Sequence, residues 1–222
     1  MVILFIGPSG SGKDTQANLL KKQKGFDVVS TGDLLRDVSQ GNTKMQKFLK
    51  QDMNDGFAPD TLIYGLLEVY LKQSKFDNFV LTGGVRRSSQ VDLLDQTLEN
   101  YGDDLDKVFY FELSDDEAIK RLKNRLKDNV TGEIYNAETN PPPIEIADRL
   151  VKRADDAEMA FTLNRLRAFH KDSLEIINKY ESRGILIKID ASKSIEDIQR
   201  QIVDNLQQSN STHIISPMGE VC

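Results

Sequence analysis

The segment Gly7-Pro8-Ser9-Gly10-Ser11-Gly12-Lys13-Asp14-Thr15 constrains the fold more than any other stretch of this chain. It lies between an apolar run, Val2–Ile6, and an amphipathic stretch from Thr15 to Lys24. A strand therefore feeds a glycine-rich turn that opens a helix, the context of a phosphate-binding loop. Glycines let backbone N–H groups turn inward and approach an anion closely. The following helix N-terminus adds partial positive charge, and Lys13 reaches the β- and γ-phosphates as a point charge. One position departs from the general pattern. Where Ser or Thr ligates Mg²⁺ through its hydroxyl, this chain has Asp14, with Thr15 one residue later.

Four more apolar runs repeat the strand signal: Asp27–Ser30, Phe79–Leu81, Lys107–Leu113 and Ile185–Ile189. Continuous apolarity suits strands covered on both faces, and the βαβα order predicts an α/β fold with a five-stranded parallel sheet flanked by helices in three layers. Helices are expected over 34–39, 61–73, 115–127, about 154–182 and 195–207. The second of these carries Leu62, Leu66, Leu67 and Tyr70 on one face. The third follows Ser114 with Glu117 three residues on, a capping box. Asn129–Ile146 cannot be a continuous helix, because it contains Thr131-Gly132 and then Asn140 before three prolines. It reads as an excursion from the core. The polar tail Ser209–Cys222 is expected to be disordered or loosely docked.

Composition excludes several classes. A net charge of −6 argues against general nucleic-acid binding. Cys222 is the only cysteine, so there is no intramolecular disulfide and no cysteine-based zinc site. His170 and His213 lack metal-ligand spacing. No apolar run reaches membrane-spanning length, and the apolar start at Met1 reads as a strand rather than a signal segment. A cytoplasmic protein is the expectation.

Beyond the loop, the sequence resembles the adenylate kinase family of nucleoside monophosphate kinases from the first strand to about Leu206. That family's phosphate loop reads Gly-Lys-Gly-Thr-Gln where this chain reads Gly12-Lys13-Asp14-Thr15-Gln16. Ser30-Thr31-Gly32-Asp33-Leu34-Leu35-Arg36 matches its monophosphate-site segment. The resemblance implies that Gly10, Ser11, Gly12, Lys13, Asp14 and Thr15 hold the phosphates of ATP. It implies that Arg36 grips the acceptor phosphate, that Thr31 lies against the acceptor base, and that Asp33 lies near the water shell of Mg²⁺. Arginine suits such a clamp because its fork binds bidentately and stays charged. Gly83, Arg86 and Gln90 also fall on matching positions. Arg86 would be a second clamp, and Gln90 would read the adenine edge through its amide donor and acceptor. Thr82 stands where the family has an aspartate at the end of the strand, and Gly84-Val85 replaces Phe-Pro. Asp14 then becomes a candidate for the carboxylate missing at Thr82.

Arg121 and Arg125, four apart on the expected helix 115–127, resemble the arginine pair at the lid entrance. The excursion resembles a longer lid without zinc cysteines. Arg153 matches the lid exit and is offered to the transferring phosphoryl, with Asp155 and Asp156 beside it. Arg165 or Arg167 would supply one more cation. These resemblances divide the single domain into a core (1–30, 61–125, 153–208), a monophosphate-binding flap (31–60), a lid (126–152) and a tail (209–222). The P-loop kinase fold so implied would place Lys13, Arg86, Arg125 and Arg153 at the reacting centre. The expected protein is a monomer that carries Mg²⁺ with ATP, moves the γ-phosphoryl to AMP and has no nucleic-acid or membrane partner. Two alternatives remain: a kinase for another monophosphate, and a nucleotide-binding homologue with little catalysis.

Overall fold

Strand β1 (Val2–Ile6) is buried along its whole length, and its side chains feed two separate cores. Val2, Leu4 and Ile6 pack into one layer while Ile3 and Phe5 pack into the other. A strand apolar at every position is thus explained by two covered faces. The computed structural model describes residues 1–39, 58–73, 78–152 and 159–212.

Around β1 lie β2 (Asp27–Ser30), β3 (Phe79–Thr82), β4 (Leu105–Glu112) and β8 (Leu186–Asp190), in the order β2-β3-β1-β4-β8. All four pairings are parallel. One layer of helices comprises α3 (Asp60–Gln73), α4 (Ser89–Glu99) and α6 (Met159–Ser182), which supply Leu67, Leu94 and Tyr180 to the first core. The opposite layer, α1 (Lys13–Lys24) and α7 (Ile195–Thr212), supplies Ala17, Leu20 and Ile202 to the second. Helix α2 (Thr31–Ser39) follows β2 directly. The three-layer α/β architecture expected from the sequence is present.

The segment expected to form a lid carries a separate three-stranded antiparallel sheet, β6-β5-β7, from β5 (Arg125–Asp128), β6 (Ile134–Asn136) and β7 (Leu150–Val151). A 3-10 turn covers Ile144–Arg149. The buried Asp128 carboxylate ties the sheet together: it accepts from the N–H of Val130, the hydroxyl of Thr131 and the guanidinium of Arg149. Lys22 on α1 pairs with Glu133 beside this small sheet, and Lys120 on α5 pairs with Glu138.

The fold corrects the sequence reading at several places. Helix α5 (Asp115–Lys123) does not run to Lys127. It ends at Asn124, whose side chain donates to Glu138, while Arg125 pairs with Asn136 in the lid sheet. Tertiary pairing overrides a helical pattern here. Ser114 caps α5 by accepting from the Glu117 N–H, but the Glu117 carboxylate bonds Arg121 instead of closing the box. Strand β4 begins two residues early, and α7 continues through Thr212, so residues 209–212 of the expected tail are helical. The rest of that tail, most of the flap (40–57) and residues 153–158, with Arg153, Asp155 and Asp156, lie outside the described residues. Among the described residues no helix is long and apolar enough to cross a membrane.

Candidate active site

The carboxyl ends of β1, β2 and β3 open into a cleft of about 710 Å³. In parallel α/β sheets this edge is the natural ligand site, because loops and helix N-termini converge there. The glycine loop forms its floor. Gly10 holds φ +87, and a Cβ there would meet the carbonyl oxygen of Ala118 at 2.9 Å, so the loop packs directly on α5. Only glycine combines that dihedral with that approach.

Lys13 folds into the loop. Its ammonium donates to the Gly7 carbonyl at 2.9 Å, the Pro8 carbonyl at 2.7 Å and the Ser11 hydroxyl at 3.0 Å. The residue as a whole is half-buried, yet the charged end lies deep in the cradle. Burial pushes its pKa down to about 7, Asp14 opposes that shift, and Arg86, Arg165 and Arg125 reinforce it. Desolvation and like charge both disfavour an ammonium, so the site is built to receive negative charge.

Asp14 is in the first turn of α1 and lines the cleft. Its carboxylate accepts a hydrogen bond from the Thr82 hydroxyl at 2.9 Å, so the two positions that depart from the family pattern touch each other.

On the opposite wall, Thr31 at the start of α2 donates to the carbonyl of Gly83 at 2.9 Å. Gly83 holds φ +76, and a Cβ would lie 3.0 Å from the Arg86 guanidinium and 3.1 Å from the Thr31 hydroxyl. This glycine lets the chain turn off β3 and return Arg86 over the cleft. Arg86 Nε donates back to the Gly83 carbonyl at 3.3 Å. Beneath the turn, the Tyr64 hydroxyl of α3 lies between the carbonyls of Gly84 (2.9 Å) and Gln90 (2.8 Å), and burial raises the pKa of the phenol. It fastens both ends of the segment to the core.

Fourteen of the expected site residues line this one cleft: Gly10 through Thr15, Thr31, Arg36, Gly83, Arg86, Gln90, Arg121, Arg125 and Arg165. Arg121 and Arg125 come from a helix and a strand rather than from one helical face, yet both reach it. Of the two candidates on α6, Arg165 lines the cleft and Arg167 does not. Asp33 stands outside the lining and pairs with Arg36 at 2.5 Å. Glu117, Phe169 and the loop Ser192–Glu196 also line the cleft. Sequence reasoning did not place them there. The loop's position after β8, at the same sheet edge as the glycine loop, was the available signal. Among the described residues no group of three acidic, histidine or cysteine side chains forms a metal cluster.

A sequence profile described as "Adenylate kinase" matches residues 5–185. A protein named adenylate kinase from Salinibacter ruber is 32% identical over 208 residues, covering 93% of this chain and 98% of its own. One of the same name from Fusobacterium nucleatum is 32% identical over 202 residues, covering 90% and 95%. Another, from Caldanaerobacter subterraneus, is 33% identical over 211 residues, covering 91% and 94%.

Proposed function

The chain belongs to the adenylate kinase family, and on that premise we propose that its own residues transfer the γ-phosphoryl group of ATP to AMP, reversibly, giving two ADP. The observation that carries the proposal is the convergence of Lys13, Arg36, Arg86, Arg121, Arg125 and Arg165 on one cleft between the glycine loop and the turn after β3. Phosphoryl transfer needs in-line positioning and neutralisation of charge on the moving oxygens, with little covalent help from the protein. An acceptor phosphate is already anionic and needs no general base.

Each residue then has a task. The loop N–H groups and Lys13 hold the donor phosphates, and nucleotide binding draws the Lys13 ammonium from carbonyl oxygens to phosphate oxygens. Arg36 and Arg86 fix the acceptor phosphate. Arg125, Arg165 and, by family resemblance, Arg153 stabilise the charge of the phosphoryl in flight. Arg121, held by Glu117 at 2.9 Å, faces the donor side. The lid sheet excludes water, which would otherwise take the phosphoryl group; adenylate kinase is itself a standard example of lid closure.

Mg²⁺ fits this donor set. The ion prefers oxygen ligands, keeps several waters and needs only one or two carboxylates beside substrate phosphates. Asp14, with the Thr82 hydroxyl against it, offers one such carboxylate within the cleft. Asp33 would contribute only by leaving its pairing with Arg36. When bound with ATP, the ion neutralises phosphate charge. The same reading takes the enzyme to act as a monomer, since one chain lines both halves of the cleft, and to work in the cytoplasm.

The test is ADP formation from ATP and AMP with Mg²⁺, run against a panel of other monophosphates. ADP from AMP, with negligible ATP hydrolysis when AMP is omitted, is the expected result. Preference for another monophosphate, or tight nucleotide binding without turnover, would reject it.

A further inference from the structure

Glu117 brings a carboxylate into a cleft suited to phosphates, and there it binds Arg121. Its backbone N–H donates to the Ser114 hydroxyl at 3.4 Å, so the residue stands where a capping box would return the carboxylate to the Ser114 N–H. It turns the other way. Oε1 accepts from Arg121 Nε at 2.9 Å, one helical turn further along α5.

The backbone that carries this pair is held on two sides. Ala118 and Leu122, the next residues in sequence, are buried against the glycine loop: a Cβ on Gly10 would meet the Ala118 carbonyl at 2.9 Å and Leu122 Cγ at 3.1 Å. The Arg121 carbonyl accepts from the Asn136 side chain at 3.2 Å. The Glu117 and Arg121 side chains are 33% and 20% exposed, and both line the cleft.

A guanidinium carries five N–H groups in one plane. Glu117 takes the one on Nε and so sets the direction of that plane, leaving the four on the Nη atoms at the outer edge of the fork. The pairing also cancels charge. A lone carboxylate here would repel a triphosphate, and a lone guanidinium would attract it. Together the two residues supply direction more than field.

We propose that Glu117 is a positioning residue for the donor nucleotide: it holds the Arg121 guanidinium by its Nε edge, presents the outer edge to the donor, and acts only through Arg121. The inference rests on the proposed ATP site and deepens it. A plain i, i+4 pair on a solvated helix would adjust stability slightly and leave every kinetic constant alone.

The test measures kcat and the KM for each substrate, with the other saturating, in the native chain and four variants: Glu117→Ala, Glu117→Gln, Arg121→Ala and the double Ala variant. Glu117→Ala should raise the KM for ATP about fivefold, the loss of one half-exposed charge-assisted hydrogen bond. The KM for AMP and kcat should stay within about twofold of native. The double variant should be no worse than Arg121→Ala alone, again within about twofold, because Glu117 has no other route to the nucleotide. Glu117→Gln keeps an oxygen for the Nε–H and removes the charge, so its KM for ATP should be at or below the native value.

The sign of the change separates the two roles of the carboxylate. If Glu117 only diluted the positive field of the cleft, Glu117→Ala would lower the KM for ATP, and that result overturns the proposal. So do an unchanged KM, equal rises for both substrates, additive losses in the double variant, or a Gln variant as impaired as the Ala variant. Should Glu117→Ala fail to fold, Glu117→Gln and the native chain still decide. The ¹⁵Nε–H signal of Arg121 should be protected from exchange with water in both proteins, and rapid exchange in the native chain refutes the clamp. Failure of the ATP-site reading looks different: Arg121→Ala would then leave the KM for ATP untouched, and the inference would fall with it.

Discussion

Lys13 offers a proton-linked measure of donor binding. With its pKa lowered from 10.5 to about 7, only roughly one-tenth of nucleotide-free molecules carry that charge at pH 8. On the proposed function the phosphates of ATP approach the Lys13 nitrogen that the three loop oxygens now surround, and negative charge at that distance favours the protonated lysine. Binding at pH 8 should therefore take up about 0.9 proton per chain, the difference between the two occupancies. The nucleotide itself contributes little, because the last proton of a terminal phosphate leaves near pH 6, roughly two units lower.

Calorimetric titration with ATP in two buffers of different ionisation enthalpy gives the uptake directly. The apparent affinity should weaken about tenfold per pH unit above 7, or ~1.4 kcal/mol per unit. Lys13→Met should abolish the uptake and flatten the profile. Uptake below about 0.2 proton in the native chain at pH 8 would show that the ammonium is already charged in its cradle, against the linkage argument. The stability of the nucleotide-free protein carries the opposite sign. Between pH 7 and 10.5 the unfolded chain binds more protons at Lys13 than the folded one, so this group's contribution to stability rises with pH across that window.

Arg86→Ala removes a charged clamp that hangs on the Gly83 turn and should reduce kcat/KM for AMP by about 2–5 kcal/mol of transition-state stabilisation, with ATP affinity little changed in a binding titration. Gly10→Ala meets both a φ of +87 and the Ala118 carbonyl; a loss of about 1–3 kcal/mol in chemical denaturation is expected, together with weakened ATP binding. Asp14→Gly should weaken Mn²⁺ binding to the enzyme–ATP complex, read by paramagnetic relaxation of water, as well as Mg²⁺-dependent turnover. Adding Thr82→Asp should restore much of both, and an unchanged metal affinity in Asp14→Gly would refute the role assigned to that carboxylate.

The parts of the fold and site that could be read from sequence are those set by local chemistry. The glycine loop and the Gly83 turn are legible because backbone geometry demands their residue types within a few positions. The uniformly apolar β1 announces a strand covered on both faces before any partner is known. What stayed hidden depends on long-range partners. Arg125 was expected on a helix over 115–127, placed by its periodicity and its Ser114 cap. Its true state is set by pairing with Asn136, which periodicity cannot reveal. The hydrogen bonds of Gln90 to Asp60, thirty positions away, and to the N–H groups of Arg86 and Arg87 are likewise invisible to periodicity.

Asp14 and Thr82 show the same limit from the other side. Read singly, each is a departure: an acid where a small or hydroxylated residue is usual, and a hydroxyl where the family carries an acid. An acid in the first helical turn gains about 0.3–1 kcal/mol from the helix dipole, which alone would account for Asp14. It would not account for the Thr82 hydroxyl lying 2.9 Å from that carboxylate, sixty-eight positions away. Nor would it offset the repulsion between a carboxylate and the phosphates that the same loop must hold. A cation between them removes that repulsion, and the strand-end hydroxyl fixes the direction in which the carboxylate points. One negative charge beside the phosphates can then be supplied from the helix instead of the strand, with the hydroxyl left behind as its anchor. On the proposed reading the exchange would leave the charge of the site unaltered, and the hydrogen bond between the two side chains is the observation that supports treating both departures as one arrangement.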